Sequence, residues 1–292
     1  MADKTLTSTA STFATAPADV RNTLNTQLNE DDFDGCIDEY SEDPISVAKS
    51  LLPFATTFSV APLSNFNVGA IAIGASGRLF FGANMEFIGV PISTSLHAEQ
   101  SALLNAWIHG EKAIKALVIS EAPCGHCRQF LFELSNASSI NVHFGTYTKL
   151  LTELLPLNFG FERSSGNDLL DSQTTPLEAV EENLSKLKGE AAMAARLSYA
   201  PYTLSNEGFA LESTDGRIHT GRVAESAAFN PSVPAIVSAL NQKNLSSSRQ
   251  YPLSYCVHAH LPTAQSSHRK LSIAIIRHIS NVKIQNVLLK PE

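Results

Sequence analysis

The 292-residue chain is 43% apolar and 17% charged, with a formal net charge of −7, the composition of a globular protein of one or two domains. No run of 18 apolar residues occurs, so no membrane-spanning helix is expected. Lysine and arginine are scattered rather than clustered, which disfavours nucleic acid as a partner.

The charge is unevenly placed. Residues 1–43 hold ten acids and two bases, against 18 acids and 19 bases in the remainder. They predict an acidic, partly ordered leader. Its start, MADKTLTSTASTFAT, lacks the basic and apolar blocks of a secretory signal and is poor in arginine. A cytoplasmic chain with reduced cysteines is therefore the expectation.

Residues 44–160 read as a first domain. A helix over Ala48–Phe58 is interrupted at Pro53, and a hairpin turns at Gly74-Ala-Ser-Gly77. Next come a helix over Ala98–Ile108, a buried-type strand at Ala116–Ser120, a helical segment at Arg128–Leu134 and a strand at Ile140–Phe144. Residues 161–180, polar and turn-rich, read as a linker. A second domain, 181–292, repeats the plan: a helix at Glu190–Tyr199, a turn at Thr214-Asp-Gly216 and a helix at Val233–Leu240. A strand at Tyr255–Ala259, an amphipathic segment at Arg269–His278 and a strand at Lys283–Leu288 complete it. The order β-β-α-β-α-β implies, in each half, a mixed sheet between helices.

The two halves are related at the level of residues. A constant offset of 139 positions relates Pro62 to Pro201, Gly69 to Gly208, Gly77-Arg78 to Gly216-Arg217, Gly82 to Gly221 and Glu86 to Glu225. This is the signature of two copies of one structural unit. At that offset His97 falls on Ile236, and Cys124 and Cys127 fall on Thr263 and Ser266, so the second copy is expected to be structural.

Chemistry is concentrated in APCGHCRQF, 122–130, where Cys124 and Cys127 lie three positions apart. Three roles compete: a thioredoxin-like redox pair, a structural zinc site, and a catalytic zinc site with three ligands and an open position. The segment SLHAEQSALLNAW favours the last. It puts His97 and Glu99 at the start of a helix, one strand away from the cysteine turn, so two helix N-termini can face one point. One imidazole and two thiolates fill three tetrahedral positions and leave the fourth for a water whose pKa the ion lowers. Glu99 is then a proton carrier rather than a ligand. His126, between the cysteines, is a rival ligand that the tight turn disfavours. Cys36 and Cys256 read as thiols outside the site. A thiol–disulfide oxidoreductase and a non-catalytic zinc module stay as alternatives.

H-x-E…P-C-x-x-C is the signature of zinc nucleobase deaminases, and the fuller wording narrows it. PLSNFNVGA (62–70), FGANMEF (81–87), LHAEQSA (96–102) and APCGHCRQF (122–130) resemble cytidine deaminase in its long, homodimeric form, a catalytic domain followed by a degenerate copy. The resemblance implies a three-layer α/β/α fold and hydrolysis of cytidine or 2′-deoxycytidine to the uridine and ammonia. It implies one Zn²⁺ per chain on His97, Cys124 and Cys127, with Glu99 shuttling protons. The Ala98 N–H would bind the ring carbonyl, Asn84 and Glu86 the ribose 3′-hydroxyl, and Phe66 and Phe159 would flank the substrate. Phe229 would reach the site of the partner subunit in a homodimer. A deaminase of another nucleoside, a nucleotide or an RNA base is the nearest alternative.

Overall fold

A computed structural model describes residues 33–40, 42–160 and 168–292. The first half is a six-stranded mixed sheet. Its strands are β1 (Cys36–Ile37), β2 (Gly69–Gly74), β3 (Leu79–Ala83), β4 (Ile114–Ile119), β5 (Asn141–Phe144) and β6 (Tyr147–Leu150), in the order β1-β3-β2-β4-β5-β6. Only β4 and β5 pair in parallel. Helix α1 (Pro44–Thr56) covers one face; α2 (Ala98–Ile108) and α3 (Gly125–Leu131) cover the other.

β2, β3 and β4 are buried on both faces, whereas β6 at the edge is exposed, and the pleat divides the buried side chains between the two helical layers. Ile71, Ile73, Leu79, Phe81, Ala116 and Val118 pack toward α1. Ala70, Ala72, Phe80, Leu117 and Ile119 pack toward α2 and α3. The expected three-layer α/β/α arrangement is therefore present. α1 runs unbroken through Pro53, contrary to expectation. Pro53 is exposed near the C-terminal end, where one lost carbonyl bond is outweighed by burial of Val47, Ala48, Leu51, Phe54 and Ala55.

The second half repeats the plan: β7 (Leu177–Ala179), α5 (Lys186–Arg196), β8 (Glu207–Ser213), β9 (Ile218–Arg222), α6 (Ala235–Leu245), β10 (Leu253–His260), α7 (Arg269–Ile279) and β11 (Ile284–Pro291). A short turn of helix, α4 (Leu151–Leu154), precedes it. The strand order is β7-β11-β10-β8-β9, with β10 and β11 parallel. The halves are not separate beads. One apolar core runs from Leu103 and Trp107 of α2 to Ile236 and Leu240 of α6. Where these helices meet, the Ser101 hydroxyl donates to Asn241 Oδ1 (2.5 Å) and Asn241 Nδ2 donates to the Ser101 carbonyl (3.1 Å).

Each half seats its central helix on a glycine. A Cβ at Gly82 would stand 2.2 Å from Ala102 N and 2.4 Å from Ala98 O; at Gly221 it would stand 2.1 Å from Ala239 N and 2.2 Å from Ala235 O. Backbone cannot yield as a side chain can, so Gly82→Ala is expected to lower unfolding free energy by about 3 kcal/mol. Urea titration checks this; an unchanged midpoint would mean that α2 does not rest on β3 as described.

These contacts correct the alignment of the copies. Ala98 and Ala102 correspond to Ala235 and Ala239, an offset of 137, because the loop between the β-bridges Met85–Leu96 and Ala224–Val233 is two residues shorter in the second copy. Helix position thus matches His97 with Pro234 and Glu99 with Ile236; the constant offset had set His97 against Ile236. Cys124, the N-cap of α3, matches His268, the N-cap of α7, rather than Thr263, and Cys127 matches Leu271 rather than Ser266.

The second copy is not blank there. The Glu207 carboxylate, 1% exposed, lies 3.3 Å from His258 Nε2 and 3.4 Å from His268 Nδ1, and accepts the His268 N–H (2.9 Å). Burial would push its pKa up, but the hydrogen bond with His258 and the nearby His268 ring overcome this and hold it below the ordinary carboxylate range.

Parts of two segments read from composition alone belong to the fold. Residues 1–32 lie outside the described residues, but Phe33 is buried against Phe54, Phe58 and Phe81, and Cys36–Ile37 adds β1 to the first sheet. In the segment read as a linker, 161–167 lie outside the described residues. Leu169 and Leu170 are buried, and β7 pairs with β11.

Candidate metal and active site

His97 caps α2 and Cys124 caps α3, both with extended backbone, so the two helix starts present their side chains to one point. Cys124 Sγ lies 3.3 Å from His97 Nδ1 and 3.6 Å from Cys127 Sγ, and all three donor atoms fall within 4.8 Å of one another. A tetrahedral zinc ion with bonds of about 2.0–2.3 Å has donor–donor edges of about 3.5–3.8 Å, so the trio fits zinc with little movement. Imidazole with two thiolates is also a donor set that favours zinc over magnesium or calcium. Among the described residues this is the one such cluster, and His126, exposed, is not in it.

The local electrostatics suit a cation. The hydrogen bond from the Cys127 thiol, with help from the His97 ring and the Cys127 N–H, outweighs burial and pulls the Cys124 thiol down to about 3. The same contact raises Cys127, and the bond to Cys124 raises His97. The cluster thus favours the thiolate at Cys124, which faces solvent, while Cys127 is buried. Glu99, 5% exposed in the first turn of α2, has its carboxyl pushed up by burial. Arg128 ties down the cysteine turn by donating to the carbonyls of Pro123 and Leu154, each at 2.9 Å.

Of the remaining expected residues, Phe66, Asn84, Glu86, Phe159 and Phe229 lie outside helices and strands, and Ala98 opens α2. Asn84 Oδ1 accepts from Val68 N (2.9 Å) and the Ser59 hydroxyl (2.6 Å), and Asn84 Nδ2 donates to the Phe66 carbonyl (2.9 Å). Glu86 accepts from Leu63 N (2.8 Å), Ser64 N (3.0 Å) and the Ser64 hydroxyl. Glu225 does the same 139 residues on, with Tyr202 N (2.9 Å), Thr203 N (3.2 Å) and the Thr203 hydroxyl. Asn65 and Leu204, at the same offset, share a left-handed backbone with φ of 56°. Clamping this loop is therefore a property of the repeat; the amide of Asn84, replaced by Val223, is peculiar to the first copy.

Phe66, Phe159 and Phe229 are more than half exposed. Phe159 is fixed through its backbone: its N–H donates to Gln129 Oε1 (3.0 Å) and its carbonyl accepts from Gln129 Nε2 (2.6 Å). Phe229 has φ of 60°, which a bulky side chain rarely adopts. Ala98 occupies the first position of α2, where the N–H has no acceptor within the helix. A cavity of about 360 Å³ opens beside His97, bordered by Ser95, Gln100, His126, Asn230 and Pro231. The second copy thus walls the space next to the donors, while Phe66, Asn84 and Glu86 lie outside that lining. Sequence reading missed Arg128, Gln129 and Gln100; the signal available was polar side chains in helices that are otherwise buried.

The model for the cytidine and deoxycytidylate deaminase zinc-binding region matches residues 47–143, and a second model of the same description matches 151–271. The cytidine deaminase of Serratia proteamaculans is 39% identical over 249 residues, 80% of this chain and 83% of the relative. That of Pectobacterium atrosepticum is 37% identical over 260 residues, 89% and 88% of the two chains. A solved cytidine deaminase from Mycobacterium tuberculosis is 30% identical, with a TM-score of 0.35 over 37% of this chain and 90% of that one. With a converging His-Cys-Cys donor set, two matched zinc-binding regions and relatives alike over most of their length, the chain belongs to the cytidine deaminase family.

Proposed function

We propose that this chain is the hydrolase that converts cytidine and 2′-deoxycytidine to the corresponding uridines and ammonia, a step of pyrimidine salvage in the cytoplasm, working as a homodimer. The observation that carries the reading is the convergence of His97, Cys124 and Cys127 beside the buried carboxyl of Glu99. These three residues would hold the zinc ion, which when bound acts as a Lewis acid and lowers the pKa of a water molecule.

The chain's own groups then divide the work. Glu99 carries one proton from the attacking water to N3 of the ring and a second, from the hydroxyl left on C4, to the departing amine; its dry setting suits a carboxyl that must both accept and release. The Ala98 N–H binds the ring carbonyl. Counting donors and acceptors supports a hydroxyl subsite at Asn84 and Glu86. Among the described residues Glu86 uses three of about four acceptor positions, and Asn84 Nδ2 uses one of two N–H groups. One acceptor and one donor are left, the complement of a sugar hydroxyl. Phe66 packs on the base, Phe159 forms a second wall, and Phe229 reaches the partner's site.

Ammonia release by the zinc-loaded protein tests this. Cytidine and 2′-deoxycytidine are expected to turn over, and cytidine 5′-monophosphate at least about 100-fold less well in kcat/KM, since no cluster of lysine and arginine supplies a phosphate site. Preference for the nucleotide would replace the nucleoside reading, and no turnover of any of the three would remove it. Light scattering after size exclusion reads the dimer.

A further inference from the structure

Glu133 lies just beyond α3, six residues after Cys127, and is 1% exposed. Among the described residues, three groups that donate to its carboxylate come from the other copy. Glu133 Oε2 accepts the hydroxyls of Tyr199 (2.9 Å) and Tyr202 (2.7 Å), and Oε1 accepts the Ala227 N–H (2.9 Å). Ala227 is two residues from Phe229. The segment around it is otherwise tied to itself: Phe229 N donates to Ser226 O (2.8 Å), Ser232 N to Phe229 O (2.8 Å), and Ser226 N to the Ser232 hydroxyl (2.9 Å). Among the described residues the segment is fastened to the first copy by Glu133 at one end and, at the other, by Gln100 Nε2, which donates to Pro231 O (2.6 Å). Both come from the helical segments that present the metal donors. The clamp is not part of the repeated fold, because at the same distance past its N-cap α7 carries Arg277, which is exposed.

We propose that Glu133 is a positioning residue for substrate binding: its buried carboxylate fastens the loop of residues 226–232 to the helix of Cys127 and so fixes where Phe229 is presented. This rests on the reading of Phe229 as a ring of the nucleoside site in the partner subunit. A carboxylate suits this role because it accepts on both oxygens and competes with none of the donors aimed at it. An amide of the same shape would turn an NH₂ toward a hydroxyl or toward the Ala227 N–H. Phe229 needs outside support, because its left-handed backbone is not one that an isolated loop would hold.

The test uses the full zinc-loaded chain. Glu133→Gln is expected to raise KM for cytidine about tenfold, as loss of a hydrogen bond to a charged group does, with kcat within about twofold and zinc still bound. Tyr202→Phe, which removes one donor without creating a buried mismatch, is expected to raise KM about threefold and carries the test if Glu133→Gln does not fold. Phe229→Ala is the reference. If Phe229→Ala leaves KM unchanged, the reading of Phe229 fails and the proposal falls with it. If Phe229→Ala raises KM while Glu133→Gln and Tyr202→Phe do not, or if they change kcat alone, the role of Glu133 is overturned on its own.

A hybrid dimer separates the two chains. Glu133→Gln paired with Glu99→Gln leaves one working site, on the chain whose partner has an intact clamp. KM is expected to return to the wild-type value; a KM that stays raised would show that the loop acts on its own chain and would overturn the partner contact.

Discussion

Glu99→Gln is expected to keep one zinc ion per chain and to lose turnover by about 10⁴-fold or more. The side chain it replaces is 5% exposed beside His97 and Cys127, and the amide has the same shape, so neither α2 nor the donors need move. What disappears is the capacity to carry a proton. Hydrolysis at C4 requires one proton to leave the attacking water for a ring nitrogen and another to reach the departing amine. A positioned acid or base contributes about 10²–10⁴-fold to a single transfer, and here one group serves both. The expected loss corresponds to about 5 kcal/mol of transition-state stabilisation. Zinc content by atomic absorption and ammonia release on the same preparation decide the matter. A metal-loaded variant that turns over at nearly the wild-type rate would take Glu99 out of the reaction.

How much of this could be read from the chain alone depended on the range of the interaction. The site donors were legible because each sits on a helix N-terminus fixed by local sequence, and a single strand separates them. The repeat was legible through residues that serve the backbone, Gly82 and Gly221 beneath their helices and Glu86 and Glu225 clamping a loop. It failed where loops absorb insertions, and so the partners of His97 and Cys124 slipped to positions 236 and 263. Short edge strands failed for another reason. β1 has two residues and β7 three, too few for a period, and the acids around Phe33 and Ile37 masked two residues of the core. The fastening of Glu133 to Ala227, 94 residues away, has no local signature, and neither does the Glu207–His258–His268 network.

Cys124→Ala, by contrast with Glu99→Gln, is expected to lose the zinc itself. Removal of a group one step behind a metal ligand costs about 10–100-fold in affinity; removal of one of three protein donors is expected to cost at least ~10³-fold, with activity falling to background. Cys124 is the informative choice because it is exposed at the start of α3, so alanine leaves no cavity; Cys127 is buried, and its loss would mix packing with ligation. The thiol pulled down to about 3 is also the one best suited to meet a cation, whereas burial pushes Cys36 and Cys256 up to about 12. Cys256→Ala is therefore expected to keep its zinc. This pair of variants also separates the metal reading from a redox one. A dithiol that cycled would lose activity on mutation of either cysteine without any metal to lose, and would withstand a chelator that silences the wild-type protein. Equal zinc in Cys124→Ala and wild type would break the ligand assignment, because the two donors that remain, His97 and Cys127, lack the third point that defines the site.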